Sequence, residues 1–221
     1  MQRKTLDVMF SVGGLVVAAL LLVMGVVLTS NANFAKNYTH DQLAAQQISF
    51  KAADKLTAEE KEAACLVKYA GQQLTTGAQA ECYANHYIGL HVKSTAEGRT
   101  YASQGDFITG LKADLTAAQK VTPPDQAKIA DLNTQITTAT TARESLFKGE
   151  TLRGLLLTSF GFSVFGVKGG QAATVAYIFA GLLALLSLAG LVHAFKTPAD
   201  EAFAAPQPAR AAGVDPSLAS V

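Results

Sequence analysis

The side chains with the greatest capacity for chemistry lie close together in the first half of the sequence: Cys65 and Cys82, with Glu81, His86 and His91 beside the second cysteine. Cys82 and His86 are one helical turn apart, so on a helix they would share a face as metal ligands, with His91 or Glu81 as further donors. A disulfide would compete for the same sulfur. His86 and His91 are separated by about 140° around a helix and do not converge without another segment. Nucleophilic catalysis needs a serine or cysteine with a positioned histidine and an orienting carboxylate; no Gly-x-Ser-x-Gly elbow, P-loop or dinucleotide fingerprint occurs. Asn37-Tyr38-Thr39 matches the glycosylation pattern, which chance produces often. No catalytic, metal-binding or cofactor-binding residue is assigned, and no cofactor is expected.

The elements that carry these residues are set by an uneven distribution of apolar side chains. The chain has 221 residues. From Val8 to Leu28 there is no charge, and about 21 residues at 1.5 Å each make roughly 31 Å, the thickness of the hydrocarbon layer of a bilayer. A second uncharged run, from Gln171 to Phe195, is long enough to cross with some tilt. Two transmembrane helices are therefore predicted, over 8–29 and 171–195. The alternative, a soluble protein hiding both in its core, leaves a small protein with little else to cover them. Ser30 and Ala32 have the small-x-small spacing of a signal-peptide cleavage site, the competing reading of the first segment.

Arg3, Lys4 and the amino terminus precede the first span and only Lys36 follows closely, which orients the N-terminal segment, 1–7, toward the cytoplasm. The tail, 196–221, returns to the same side and is predicted to be disordered, being Ala- and Pro-rich with few large apolar residues. The protein is then a multi-pass protein of the plasma membrane, with residues 30–151 outside the cytoplasm. Thiols are not kept reduced there, so a Cys65–Cys82 disulfide is expected. It would close a loop of about 16 residues and constrain the unfolded chain by on the order of 3 kcal/mol. Two unpaired buried thiols are the alternative.

The middle segment reads as a helical bundle, because apolar residues return at spacings of three and four between helix-punctuating residues. Thr39 with Gln42 resembles a capping box opening a helix toward Ile48, and Thr57 with Glu60 opens another that Gly71 ends. Thr76 precedes a helix over Gly77–Thr95 closed by Gly98. A turn is predicted at Ser103–Asp106, then a helix over Phe107–Lys120 stopped by Pro123-Pro124. From Asp125 the residues Ile129, Leu132, Ile136, Ala139, Arg143 and Leu146 form a packing seam. Leu152–Val167 is apolar and aromatic but only roughly 24 Å as a helix. Residues 152–170 are read as an interfacial helix that turns at Lys168-Gly169-Gly170, with a core helix or a third crossing as alternatives.

The predicted fold class is thus all-α, two transmembrane helices flanking an extracytoplasmic helical bundle. Small residues at Gly14 and Ala18 on the first span, and at Ala176, Ala180 and Ala184 on the second, would let helix backbones approach closely, against each other or against another subunit. With 18 Lys and Arg against 17 Asp and Glu, and no basic stripe interleaved with aromatics, a nucleic-acid partner is not expected.

The segments RKTLDVMFSVGGL, YAGQQLTTGAQAECYANHYIGLHV and GETLRGLLLTSFGFSVFG resemble a group of uncharacterised actinobacterial two-span membrane proteins with this plan. The resemblance implies a Gram-positive plasma membrane and no particular activity. Some similar chains bear the label of an aromatic ring-opening dioxygenase, but such enzymes hold iron with two histidines and a carboxylate in a soluble fold, which this histidine set does not offer. The expected function is that of a noncatalytic membrane protein whose outer domain binds a protein partner, possible roles including an accessory subunit of a membrane or envelope complex. The alternative is an extracytoplasmic ligand- or lipid-binding, sensor-like protein. The lipid bilayer is itself a partner, and a homo-oligomer is compatible with both readings.

Overall fold

The computed structural model describes residues 3–196 and 198. The predicted tail, 196–221, lies outside the described residues except for Lys196 and Pro198. Helices account for nearly all of the regular structure, in the order α1 (Arg3–Ala45), α2 (Ala58–Glu62), α3 (Ala64–Tyr69), α4 (Gly77–Cys82), a π-helical turn (Tyr83–Ile88), α5 (Gly89–Thr95), α6 (Tyr101–Lys120) and α7 (Gln126–Lys196). A short 3₁₀ turn, Ala53–Lys55, precedes α2. The fold is all-helical, and α1 and α7 are long and apolar enough to cross a membrane.

The chain divides into two compact units: residues up to Thr29 with those from Gln171 onward, and Ser30–Gly170. In the first unit α1 and α7 run antiparallel with small residues between them. A Cβ on Gly14 would collide with the Ser187 hydroxyl, and one on Gly190 with the Ser11 hydroxyl. A Cβ on Gly25 would sit 2.6 Å from the Tyr177 ring. Ser11, Ala18, Ala173, Ala176, Ala180, Ser187 and Ala194 are buried along this seam. Gly14 faces Ser187, while Ala184 is only half-buried. Spacings of three and four persist from Ser11 through Gly25 and from Ala173 through Ala194, the pattern of two helices packed lengthwise. The opposite faces carry exposed Val, Leu and Phe, including Phe10, Leu20, Leu185, Leu186 and Phe195.

The second unit has two apolar cores. Leu43, Phe50, Leu66, Leu74, Ala80, Cys82, Ala84, Ile88 and Leu156 form the larger, drawing on nearly every short element. Antiparallel backbone bonds beside it, Phe50 N–H to Gln72 and Leu74 N–H to Ile48, fasten the two loops that frame α2 and α3. The smaller core lies between α6 and α7 alone: Ile108, Leu111 and Ala118 against Leu132 and Ala139. These include four of the residues of the predicted seam, since Ile129 and Ile136 flank the same core.

Capping explains where the short helices start. Reciprocal capping boxes open α2 (Thr57 with Glu60), α4 (Thr76 with Gln79) and α6 (Thr100 with Ser103). Gly71 and Gly98 take left-handed φ values of 72° and 81° and close the segments that end there.

Three expectations are corrected. Thr39 and Gln42 do not open a helix but lie inside α1, because no glycine or proline interrupts residues 26–45 and the helix ends only where Gln47 turns to φ 53°. Ser103–Asp106 is not a turn; Ser103 completes the cap of α6, which begins at Tyr101. Lys168-Gly169-Gly170 is not a turn either, since α7 runs through it without interruption. The nearby glycine has another use: a Cβ on Gly166 would lie 3.1 Å from Ala35 Cβ and 3.2 Å from the Ala32 carbonyl oxygen, so it admits the α1 backbone.

The seam between α1 and α7 predicts a specific cross-link. Cysteines at Ser11 and Gly190 should oxidise to an intramolecular disulfide, read by mobility on a non-reducing gel. Adding Gly25→Ile should sharply reduce the yield, whereas Gly13→Ile, where a Cβ meets nothing within 4 Å, should leave it intact.

Candidate functional site

Cys65 on α3 and Cys82 at the end of α4 are joined as a disulfide, their Cα atoms 6.1 Å apart. Cys82 and Gln79 of the α4 capping box are buried, Cys82 within the larger core and the half-buried Cys65 against it. The bond ties α3, too short to be stable alone, to the helical run that begins with α4 and continues to Thr95. It also removes Cys82 from any metal-ligand set; His86 points to a solvent-exposed position, and no three His, Cys, Asp or Glu side chains converge among the described residues.

The chemistry that was not assigned from spacing lies beside this staple, around the buried carboxylate of Glu60. Lys51 donates a 2.7 Å hydrogen bond from Nζ to Oε1, and the Thr57 backbone N–H donates one of 2.9 Å to Oε2. His91 donates from Nδ1 to the Tyr87 carbonyl oxygen at 2.7 Å, which leaves Nε2 3.9 Å from Glu60 Oε1. Three rings, Tyr83, Tyr87 and His91, form a column with centroids 4.6 and 4.5 Å apart, and Lys51 Nζ lies 5.1 Å from the Tyr87 centroid. The π-helical turn, with Gly89 N–H bonded to the Ala84 carbonyl five residues back, brings side chains four apart nearly into register.

Burial works against the charged form of Glu60, but the Lys51 hydrogen bond, the Thr57 N–H and the charges of Lys51 and His91 outweigh it and hold the carboxyl below its ordinary range. The hydrogen bond to Glu60 likewise raises Lys51, against a smaller effect of burial. Burial, reinforced by Tyr87 and Glu60, pushes Tyr83 up to about 12. Both oxygens of Glu60 are thus engaged, Oε1 by the Lys51 ammonium and Oε2 by the Thr57 N–H, an arrangement suited to holding the loop before α2 against α2 rather than to proton transfer at neutral pH.

A second feature is an apolar groove of about 580 Å³ within the same unit. Residues 32–40 of α1, 160–170 of α7 and the start of α4 line it, with Lys36 and His40 among them and no acidic side chain. Thr39 is buried in its lining and its hydroxyl has no hydrogen-bond partner. Beside it Phe34, Tyr38 and Phe162 form an exposed aromatic cluster, with centroids 5.6 and 6.1 Å apart.

A third feature lies on the α6 and α7 pair. Arg143 stacks 4.1 Å from the centroid of Tyr101 and donates to its backbone carbonyl, Tyr101 meets Phe147 at 5.9 Å, and Arg99 stacks 4.1 Å from Phe107. Tyr101, Phe107 and Phe147 are all exposed.

In comparisons with known proteins, no family model, no curated protein and no solved structure matches the chain. The geometry must therefore carry the reading by itself. Of the residues singled out in the sequence, Cys65 and Cys82 are brought together; Gly14, Ala18, Ala176 and Ala180 lie on the seam of the first unit. Lys51 was not singled out, and the groove residues Lys36, Thr39 and Thr76 were noted for flanking charge and capping, not as a site. Tyr83, Tyr87 and His91 fall within the helix predicted over Gly77–Thr95, and their spacing of four is the one signal in the sequence that points to the ring column.

Glu60→Gln should destabilise the folded domain by on the order of 2 kcal/mol, measured by thermal unfolding in detergent. Because the folded-state carboxyl titrates below its unfolded value, its contribution is present above the ordinary glutamate range and lost as pH falls below about 4.5. The wild-type advantage over Glu60→Gln should accordingly shrink on acidification. The raised Lys51 gives the opposite edge: its contribution holds below 10.5 and fades as pH rises beyond that.

Proposed function

We propose that this chain is a noncatalytic integral membrane protein of the plasma membrane, crossing the bilayer through the apolar parts of α1 and α7 and presenting Ser30–Gly170 as a disulfide-stapled helical domain outside the cytoplasm. Both termini are then cytoplasmic. Support comes from two helices of sufficient length and apolarity, from the outward-facing Val, Leu and Phe side chains of the first unit, and from a disulfide in the second. The resemblance to actinobacterial membrane proteins fits the same assignment.

The domain's function is to bind a protein partner, as an accessory subunit of a membrane or envelope complex. The observation that carries this reading is the exposed Tyr101–Phe147 pair with Arg143 stacked on Tyr101, on the two-helix arm of α6 and α7; Phe107 with Arg99 is a second, separate exposed pair. Aromatic and arginine side chains dominate the energetic centres of protein interfaces, and here they are already ordered by stacking. The arm buries a single seam and leaves its other faces open. One observation favours a second reading, an extracytoplasmic ligand- or lipid-binding, sensor-like protein: the groove lined by residues 32–40 and 160–170.

Two measurements test the assignment. On intact cells, a membrane-impermeant thiol reagent should label Cys65 and Cys82 only after reduction; labelling only after the membrane is broken would overturn the outward domain. Isolated in mild detergent, the wild-type chain should retain a stoichiometric protein partner that a Tyr101→Ala, Phe147→Ala variant of equal thermal stability loses. A monomer or homodimer in several detergents would overturn the partner reading.

A further inference from the structure

The groove lies where the two apolar runs meet the polar domain along the chain. Gly170 is the residue before the second run begins, and Lys36 stands seven residues, or about 10 Å of helix, past Thr29 at the end of the first. Both lining stretches therefore border the apolar runs in sequence, where a membrane-spanning chain passes through the headgroup layer. The exposed Phe34, Tyr38 and Phe162 cluster beside it has the amphipathic aromatic character that settles at this level.

The wall is formed by Ala32, Phe160, Val164, Gly166, Val167 and Gly170, which offer a methylene chain nothing to hydrogen-bond. Asn33, Thr75, Thr76 and Ser163 share the lining; the hydroxyls of the last three are bonded within the chain, and Lys36, Thr39 and His40 suit an anion or an ester. Lys36 makes no ion pair among the described residues, and no carboxylate lines the groove to compete for it. Asp41, the nearest acid in sequence, accepts a 3.2 Å hydrogen bond from His40 Nδ1. The Thr39 hydroxyl, buried and without a partner, is a donor for an oxygen that enters the groove.

We propose that the groove holds one acyl chain of an anionic phospholipid drawn from the surrounding bilayer, with its phosphate at Lys36 and an ester oxygen within reach of Thr39. This rests on the membrane-spanning reading and deepens the second, lipid-binding one by naming the ligand and its two contacts. The lipid is a stoichiometric component of the domain, distinct from the annular lipid around the spans.

The test is native mass spectrometry of the full chain released from detergent micelles after addition of equal amounts of phosphatidylglycerol and phosphatidylcholine. One phosphatidylglycerol per chain should survive, favoured over phosphatidylcholine by about five-fold. Ala78→Phe, at an exposed position on the groove wall, should abolish the bound lipid, and Lys36→Gln should equalise the two lipids; thermal unfolding confirms that each variant is folded. Equal retention of both lipids by the wild type, or a bound lipid indifferent to Ala78→Phe, would overturn the proposal. A chain that stays in solution without detergent would instead overturn the membrane-spanning reading beneath it.

Discussion

Close approach between α1 and α7 is the constraint from which the arrangement of each unit follows. Side chains larger than serine would hold the two helices apart where Ser11, Gly14, Ser187 and Gly190 meet in one unit, and where Ala32, Ala35 and Gly166 meet in the other. Lipid tails provide no hydrophobic drive for helices to associate, so in a bilayer dispersion contacts over such small-residue seams must do it. In the second unit the same two helices also supply Leu43 and Leu156 to the larger core, so the short elements from α2 to α5 condense on a surface already made by long ones.

That division of labour accounts for the short helices. At five and six residues, α2 and α3 lie far below the length at which a helix is stable in water, while α4, the π-helical turn and α5 follow one another without a break as a single helical run, Gly77–Thr95. Capping boxes satisfy their first donors, the disulfide ties α3 to α4, and the Lys51–Glu60 pair ties the preceding loop to α2. An ion pair is a weak source of net stability, but removing one partner of a buried carboxylate is costly, and both oxygens of Glu60 are engaged.

Local punctuation was legible in the sequence, and packing was not. The boxes at Thr57 and Thr76, the stops at Gly71 and Gly98 and the seam from Ile129 to Leu146 depend on neighbours three or four residues away, which spacing alone reveals. Thr39 with Gln42 had the same pattern, yet the helix that already contained them never ended. Lys168-Gly169-Gly170 reads as a turn because glycine permits one; the helix runs through it, and nearby Gly166 faces the α1 backbone, a partner some 130 residues distant in sequence and invisible to local reasoning. The Glu60 cluster was hidden for a similar reason, since Lys51, Glu60 and His91 belong to three separate elements. The groove combines residues 32–40 with 160–170, and only long-range antiparallel packing makes them neighbours.

The π-helical turn at Tyr83–Ile88 leaves the domain intolerant of a particular kind of genetic change. It holds one residue more than an α-helical path between the same ends would, and that residue brings Tyr83, Tyr87 and His91 into one column. Deleting one of residues 84–86 would restore ordinary helix geometry and leave the segments on either side in register, because the extra residue is absorbed within the turn. Tyr83 and Tyr87 would then stand three residues apart instead of four, and the column would lose its spacing although every side chain of the cluster would still be present. The length of this stretch is therefore constrained as well as its composition.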